Sequence, residues 1–273
     1  MKRIIIVTGA SSGLGREFAL QLARERNADE IWLLARRPDR LAEVAQTLAA
    51  DAAVRHPGRH PVPRTVGIDL GGDEGLARFT ALLKEEREAS VDGGFIIDTL
   101  VNNAGFGTYG TFAETGLERQ LDMIDLNVYS LTGLCYSVLP YMADGSLIIN
   151  VASLAGFIPL GNFAVYGATK AYVLNFSVAL AAELADRGIF VSTVCPGPVD
   201  TEFAQVASNG ARERVVDGKS PADVVSHALR SIARGQRIAL MATKWKFKAF
   251  MSRFVGRYGY ARHSFIHDKR PSK

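Results

Sequence analysis

The sequence predicts an α/β protein: a doubly wound parallel sheet of about seven strands with helices on both faces. Two observations predict it. Short β-rich runs alternate with segments of helical spacing along the chain, the pattern that produces parallel strands joined by crossover helices. The first of these runs also passes straight through a glycine-rich turn into a helix, an order suited to holding a pyrophosphate. A chain of 273 residues that is 48% hydrophobic and 22% charged has enough apolar material for one large domain with local additions.

The β-rich runs are Ile4 to Thr8, Glu30 to Ala35, Arg64 to Asp69, Thr99 to Asn102, Leu147 to Ala152, Phe190 to Cys195 and Arg237 to Met241. Helical spacing covers Arg16 to Arg26, Arg40 to Ala50, Gly75 to Glu88, Leu117 to Leu139, Tyr166 to Ala185 and Ala222 to Ala233. Ser220-Pro221-Ala222-Asp223 marks the start of the last helix with a cap, a proline at the first helical position and an acid in the first turn. Residues 53 to 63, with Pro57, Pro61 and Pro63, read as a surface loop. The opening Met1-Lys2-Arg3 before Ile4-Ile5-Ile6-Val7 has the charge order of a signal peptide, but the apolar run stops at Thr8-Gly9 with no cleavage site, so it reads as a strand. No stretch approaches the roughly 20 apolar residues that span a bilayer. The two cysteines, Cys135 and Cys195, form no metal-type pair. The expectation is a soluble, cytoplasmic protein.

In the turn Gly9-Ala10-Ser11-Ser12-Gly13-Leu14-Gly15, glycines let the backbone approach a phosphate closely, and the following helix N-terminus favours an anion. A site preferring NAD ends its second strand with a carboxylate about 20 residues beyond the turn, to bind the ribose 2′-hydroxyl. Here Ala35 is followed by Arg36 and Arg37. Guanidinium groups bind a 2′-phosphate through charge-assisted hydrogen bonds, so NADP(H) is the expected cofactor. The bland alternative makes both arginines solvated loop charges, which leaves the missing acid unexplained.

Further motifs follow in order: Asn102-Asn103-Ala104-Gly105 after the fourth strand, Asn127 in the next helix, Ser153 after the fifth strand, Tyr166-Gly167-Ala168-Thr169-Lys170, and Cys195-Pro196-Gly197-Pro198-Val199-Asp200-Thr201. Together with the glycine turn, this series resembles the short-chain dehydrogenase/reductase family over roughly residues 1 to 235. The resemblance implies a Rossmann-type fold and hydride transfer to or from the nicotinamide C4. It assigns cofactor contacts to Gly9, Ser11, Ser12, Gly13, Leu14, Gly15, Asn103, Ala104, Gly105, Pro196, Gly197, Val199 and Thr201, and adenine contacts to Asp69 and Leu70. It gives Lys170 the nicotinamide ribose, Ser153 the substrate oxygen, and Asn127 a water of the proton relay. Chemistry supports the central pair independently. Tyr166 and Lys170 are four apart on a helix, so they share a face, and a neighbouring ammonium would favour ionisation of a phenol whose ordinary pKa is near 10. Tyr166 is thus the candidate general acid/base.

Each residue has a structural alternative: Tyr166 a core aromatic, Lys170 a surface cation, Ser153 a helix cap, Asp69 the cap of a turn. Two rival functions are a serine hydrolase and a non-catalytic NADP(H)-binding sensor. The first lacks a glycine-flanked elbow around Ser153; the second requires loss of catalytic groups that are present.

Phe106, Tyr109, Phe157, Ile158, Leu160, Phe163, Phe203 and Val206 fall where substrate is expected, which favours an apolar steroid, fatty-acyl or aryl ketone or alcohol. Thr201 to Lys219 has the character of a lid. Residues 237 to 273 hold ten of the 32 Lys and Arg against one acid, Asp268, leaving a body with 22 basic and 27 acidic residues. The run from Lys244 to Phe254 mixes cations and aromatics. Packing against the protein ranks ahead of a membrane surface for it. His263 and His267 lack a third metal ligand, and no metal or nucleic acid is expected. By resemblance, a homodimer or homotetramer would form on the helices around Leu117 to Leu139 and Tyr166 to Ala185.

Overall fold

The computed structural model describes residues 1–55, 60–90, 94–213, 215, 217–254, 256–268 and 270. Its strands are β1 (Lys2–Thr8), β2 (Glu30–Ala35), β3 (Val62–Gly67), β4 (Phe95–Asn102), β5 (Leu147–Val151), β6 (Phe190–Val194) and β7 (Ile238–Ala239). They form one sheet in the order β3-β2-β1-β4-β5-β6-β7, a Rossmann-type doubly wound arrangement whose strand order reverses between β1 and β4. The helices are α1 (Gly13–Glu25), α2 (Pro38–Arg55), α3 (Gly72–Ala89), α4 (Leu117–Ile124), α5 (Leu131–Val138), α6 (Ala164–Glu183), α7 (Phe203–Ala207), α8 (Pro221–Ala233), α9 (Thr243–Met251) and α10 (Arg257–His267). Ile4, Ile5, Ile6 and Val7 of β1 are all fully buried, as a strand covered on both faces requires. Each such side chain contributes about 1.5–3 kcal/mol by leaving water.

Strand β7 is shorter than the expected Arg237 to Met241, and three other segments differ more substantially from the sequence expectation. Helix α2 continues to Arg55 and β3 begins at Val62, so both ends of the expected loop over 53–63 are regular structure, while residues 56–59, Pro57 among them, lie outside the described residues. Pro63 is tolerated because β3 is an edge strand that pairs only with β2. Strand β4 begins at Phe95, ahead of the expected Thr99, and carries the buried Asp98 within it. Arg26 Nε donates to that carboxylate at 2.7 Å and Arg3 Nε at 3.1 Å, which makes a charge admissible in a strand interior. The helix expected over Leu117 to Leu139 is α4 and α5 joined by a π-helical turn, Asp125–Ser130, and closed by a 3₁₀ turn, Leu139–Tyr141, containing Pro140. The Ser220 cap forms as expected, its hydroxyl accepting from the Asp223 amide at 3.1 Å.

The chain divides into two compact units. The first comprises Met1–Ala104, Tyr129–Ile149 and Ala181–Val191; the second comprises Gly105–Val128, Asn150–Leu180 and Ser192–Lys273. Trp32, Phe18 and Phe79 are among the largest fully buried side chains of the first. A core cluster of the second joins Met123, Ala155, Phe163 and Tyr166, with Phe106, Tyr109, Leu160 and Phe203 packed against it. Among the described residues no helix is long and apolar enough to cross a membrane.

Candidate active site

In the first unit the glycine-rich turn leaves β1 with Gly9 at φ +64° and Gly13 at φ +54°, conformations that side chains disfavour. A Cβ at Gly15 would lie 2.2 Å from the Gly9 carbonyl oxygen, so only glycine allows α1 to start this close to the turn. Thr8, at the end of β1, is the hub. Its Oγ1 accepts from the backbone amides of Asn103 and Ala104, both at 3.0 Å, and donates to the Val101 carbonyl at 3.1 Å. Asn103 Nδ2 returns to the Thr8 carbonyl at 3.0 Å and the Gly9 carbonyl at 3.3 Å. The ends of β1 and β4 are thereby locked together at the topological switch, where doubly wound folds bind ligands.

Ser12 is the extended N-cap of α1, yet its side chain does not cap the helix; the hydroxyl instead accepts from Arg37 Nη2 at 3.0 Å. Arg37 also reaches Ser11 Oγ at 3.2 Å, and Arg36 lies 3.8 Å from the Asp69 carboxylate with both side chains largely exposed. Leu14 is half-buried beside this cluster in sequence, and Leu70 is buried. Asp69 Oδ1 accepts from the Gly71 amide at 3.1 Å, the turn-capping role open to it in the sequence. This donor set fits a phosphorylated nucleotide: an uncapped helix start, two serine hydroxyls and two arginines.

In the second unit Asn127 sits in the π turn, a local irregularity that often accompanies function. Its Oδ1 accepts from the Phe106 amide at 3.1 Å, and its Nδ2 donates to the Phe106 carbonyl at 2.9 Å and to Thr169 Oγ1 at 3.1 Å. Thr169 Oγ1 donates to the Tyr166 carbonyl at 2.8 Å, so one chain of bonds links the 105–106 backbone to the helix that carries Tyr166. A Cβ at Gly105 would stand 2.6 Å from Asn127 Oδ1, which restricts that position to glycine.

Ser153 is the extended cap of a 3₁₀ turn, Leu154–Gly156; its Oγ accepts from the Ala155 amide at 3.1 Å and is also hydrogen-bonded to Tyr166. It therefore serves as a cap and as the partner of the phenol at once. Burial holds the Tyr166 phenol well above its ordinary pKa, a push that the Ser153 hydrogen bond opposes. The Tyr166 ring stacks on Phe163, with centroids 4.2 Å apart, and tilts against Phe203 at 5.4 Å. Lys170 is buried; its Nζ donates to the Val151 carbonyl at 2.8 Å and lies 5.8 Å from the Tyr166 ring centroid. Burial lowers the Lys170 pKa to about 8. The expectation that the ammonium would lower the phenol pKa is not met, because both groups are desolvated and the ammonium is committed to a backbone carbonyl. Burial also raises the neighbouring Cys195 thiol to about 12.

Beyond β6, the Pro196 carbonyl accepts from the Leu154 amide at 2.9 Å, and Val199 bridges to Lys219. Thr201 Oγ1 accepts from the Phe203 amide at 3.3 Å. A Cβ at Gly197 would meet Trp245 Nε1 at 2.7 Å, so α9 braces this loop. The tail reaches the loop before α6 as well, where Asn162 Nδ2 donates to the Phe265 carbonyl at 3.0 Å and Arg270 Nη1 to the Gly161 carbonyl at 2.9 Å. Thr8, Thr169 and Trp245 escape a sequence reading, since each acts through a contact distant along the chain. The rings of His263 and His267 lie tilted against each other with centroids 4.5 Å apart, and the described residues contain no group of three or more metal-type ligands.

The short chain dehydrogenase family model matches residues 3–211. An uncharacterized oxidoreductase of Staphylococcus epidermidis is 33% identical over 230 residues, 84% of this chain and 91% of that protein. Sulfoacetaldehyde reductase 2 of Chromohalobacter salexigens is 33% identical over 217 residues, 77% and 78% of the two chains. A solved short-chain dehydrogenase from Sphingobium yanoikuyae in complex with NADPH is 28% identical, with a TM-score of 0.76 over 99% of this chain and 98% of that one.

Proposed function

This chain belongs to the short-chain dehydrogenase/reductase family, and we propose that within it the protein interconverts an apolar ketone and its secondary alcohol using NADP(H). Membership makes it an oxidoreductase with a nicotinamide-nucleotide fold and sets aside the hydrolase reading. The observation that carries the finer proposal is the buried Tyr166 phenol partnered by the half-buried Ser153, with buried Lys170 one helical turn along α6. A pure sensor has no use for a desolvated phenol held in this way.

When bound, the nicotinamide supplies or takes up the hydride. Gly9, Ser11, Ser12, Gly13, Leu14 and Gly15 would hold its pyrophosphate, Arg36 and Arg37 the 2′-phosphate, and Asp69 and Leu70 the adenine. Asn103, Ala104, Gly105, Pro196, Gly197, Val199 and Thr201 would line the remainder, with Lys170 on the ribose. In reduction the Tyr166 hydroxyl donates its proton to the carbonyl oxygen while Ser153 hydrogen-bonds the same oxygen. Asn127, its carboxamide engaged by Phe106 and Thr169, would hold a water of the proton relay. The segment 201–219 acts as the lid. Phe163, Tyr109, Phe106 and Phe203 around the phenol favour an apolar substrate over a sugar. Exposed Leu117, Leu121 and Ile124 on α4 and Tyr172 on α6 suit an interface between copies.

Replacing Tyr166 by Phe tests the mechanism. Turnover of an aryl ketone should fall about 10²–10⁴-fold while NADPH binding, read by cofactor fluorescence, persists. Alcohol oxidation by the unaltered enzyme should rise with pH as the phenol ionises, whereas ketone reduction should not. Near-normal turnover in the Phe variant would reduce Tyr166 to a packing residue.

A further inference from the structure

The tail helix α9 has two apolar faces, and the protein uses one of them. Trp245 and Ala249, four residues apart, turn inward: Trp245 lies against Gly197, and Ala249 is buried. Phe247, Phe250 and Phe254 recur at spacings of three and four on another face and are 64%, 56% and 68% exposed. The Phe250 and Phe254 rings pack together with centroids 5.1 Å apart, and Tyr258, at the start of α10, is 82% exposed. Exposed Lys244, Lys246, Arg253 and Arg257 are interleaved with these aromatics. Arg253 and Arg257 also line a cleft of about 600 Å³ with Leu174, Val178, Ile238 and Phe254.

Four large exposed aromatics in about one dozen residues are more than the scattered apolar side chains that ordinary surfaces carry. We propose that this face docks the enzyme on the surface of an anionic lipid bilayer, with the phenylalanine stripe in the headgroup region and the cations on lipid phosphates. The choice of occupant rests on charge. The segment 237–273 carries ten Lys and Arg against one Asp, so an anionic surface complements it. A second copy presenting the same face would set like charges against one another. Aromatic rings flanked by Lys and Arg suit the interface plane, and a bilayer demands no shape complementarity from a convex helix. The inward face keeps α9 attached to the protein, so docking needs no unfolding. The inference is independent of the reaction proposed above.

Flotation with vesicles tests it, using mixed phosphatidylglycerol and phosphatidylcholine beside phosphatidylcholine alone. The protein should float with the anionic vesicles at low salt and about tenfold less with the neutral ones. Binding should weaken as the screening length contracts from about 10 Å at 0.1 M salt to about 3 Å at 1 M. The triple variant F247S/F250S/F254S and, separately, K246Q/R253Q/R257Q should each lose roughly tenfold or more in partitioning, with turnover of a water-soluble ketone and the circular dichroism spectrum unchanged. Absence of binding at low salt, equal binding to neutral vesicles, or full binding by both variants would overturn the proposal. So would a fall in solution mass of the serine variant, which would show that this face joins copies of the chain.

Discussion

In the first unit, charged groups proposed to meet the cofactor lie at the surface: Arg36 and Asp69 are largely exposed, and Arg37, also exposed, donates to the hydroxyls of Ser11 and Ser12. In the second unit, Tyr166, Lys170 and Cys195 are buried together, and burial displaces each from its ordinary ionisation range, Lys170 to about 8 and Cys195 to about 12. The difference follows from what each set would do. A polyanionic nucleotide arrives with its own charge and needs accessible cations and backbone amides, whereas proton transfer needs groups whose ionisation the protein controls by withholding water. Binding and chemistry therefore make opposite demands on solvation.

The largest expected effect sharpens that contrast. Lys170→Met should lower turnover about 10²–10⁴-fold, as loss of a group beside the proton donor implies. The same change should raise stability. A buried lysine whose folded pKa is about 8 must carry a desolvated charge below that pH, while the unfolded chain ionises freely up to about 10.5. Stability of the unaltered protein should thus rise as pH climbs from 8 towards 10.5, and the Met variant should lose that dependence. The gain near neutrality is on the order of 3 kcal/mol. Thermal melts of both proteins across pH 7 to 10.5 check it, and a destabilised Met variant would show that Lys170 serves the fold rather than the reaction.

A second change asks whether the first unit avoids buried charge altogether, and Asp98 shows that it does not. Burial pushes this carboxyl up, but hydrogen bonds from Arg26 and then Arg3 outweigh burial and hold its pKa below the usual carboxylate value. A depressed folded pKa contributes stability that is present above the unfolded value of about 3.9 and is lost as pH falls through the lower folded one. Asp98→Asn should cost about 3 kcal/mol, the low end for breaking a buried pair because both arginines are partly exposed, and should flatten the acid limb of the stability curve. Chemical denaturation at pH 7 and pH 4 measures both. Cofactor binding by the folded variant should be unchanged, which would separate charge buried for the fold from charge buried for chemistry.

What could be read from the sequence was what depends on order and near spacing. The strand alternation, the turn from Gly9 to Gly15, the Tyr166–Lys170 pair and the Ser220 cap are all local patterns. Contacts between distant segments left no such trace. Thr8 reads as an ordinary strand residue until the amides of Asn103 and Ala104 converge on it. The start of β4 at Phe95 left no trace either, because the arginines that admit Asp98 into a strand are remote in sequence. Asn127 was legible as a motif residue but not as part of a π turn, since helical periodicity over Leu117 to Leu139 barely changes when one turn widens. The ionisation of Lys170 could not be read at all, because it depends on how much water the fold removes.

The smallest expected effect isolates the exposed arginines of the first unit. With Arg36 and Arg37 both replaced by Ala, affinity for NADPH should fall about 10–100-fold, the equivalent of one or two charge-assisted hydrogen bonds, because a 2′-phosphate gives each guanidinium a charge to bind. NADH presents a neutral hydroxyl there, so its affinity should change little. Both side chains lie at the surface and support no core packing, so the melting temperature should stay within a degree or so of the parent, as surface substitutions generally do. Saturated turnover should also hold, since Tyr166 and Ser153 are untouched. Fluorescence titration of the two cofactors beside a thermal melt reads all of this. Equal losses for NADPH and NADH would mean that Arg37 serves chiefly to order Ser11 and Ser12 in the glycine-rich turn, which would make the first unit as dependent on internal bonding as the second.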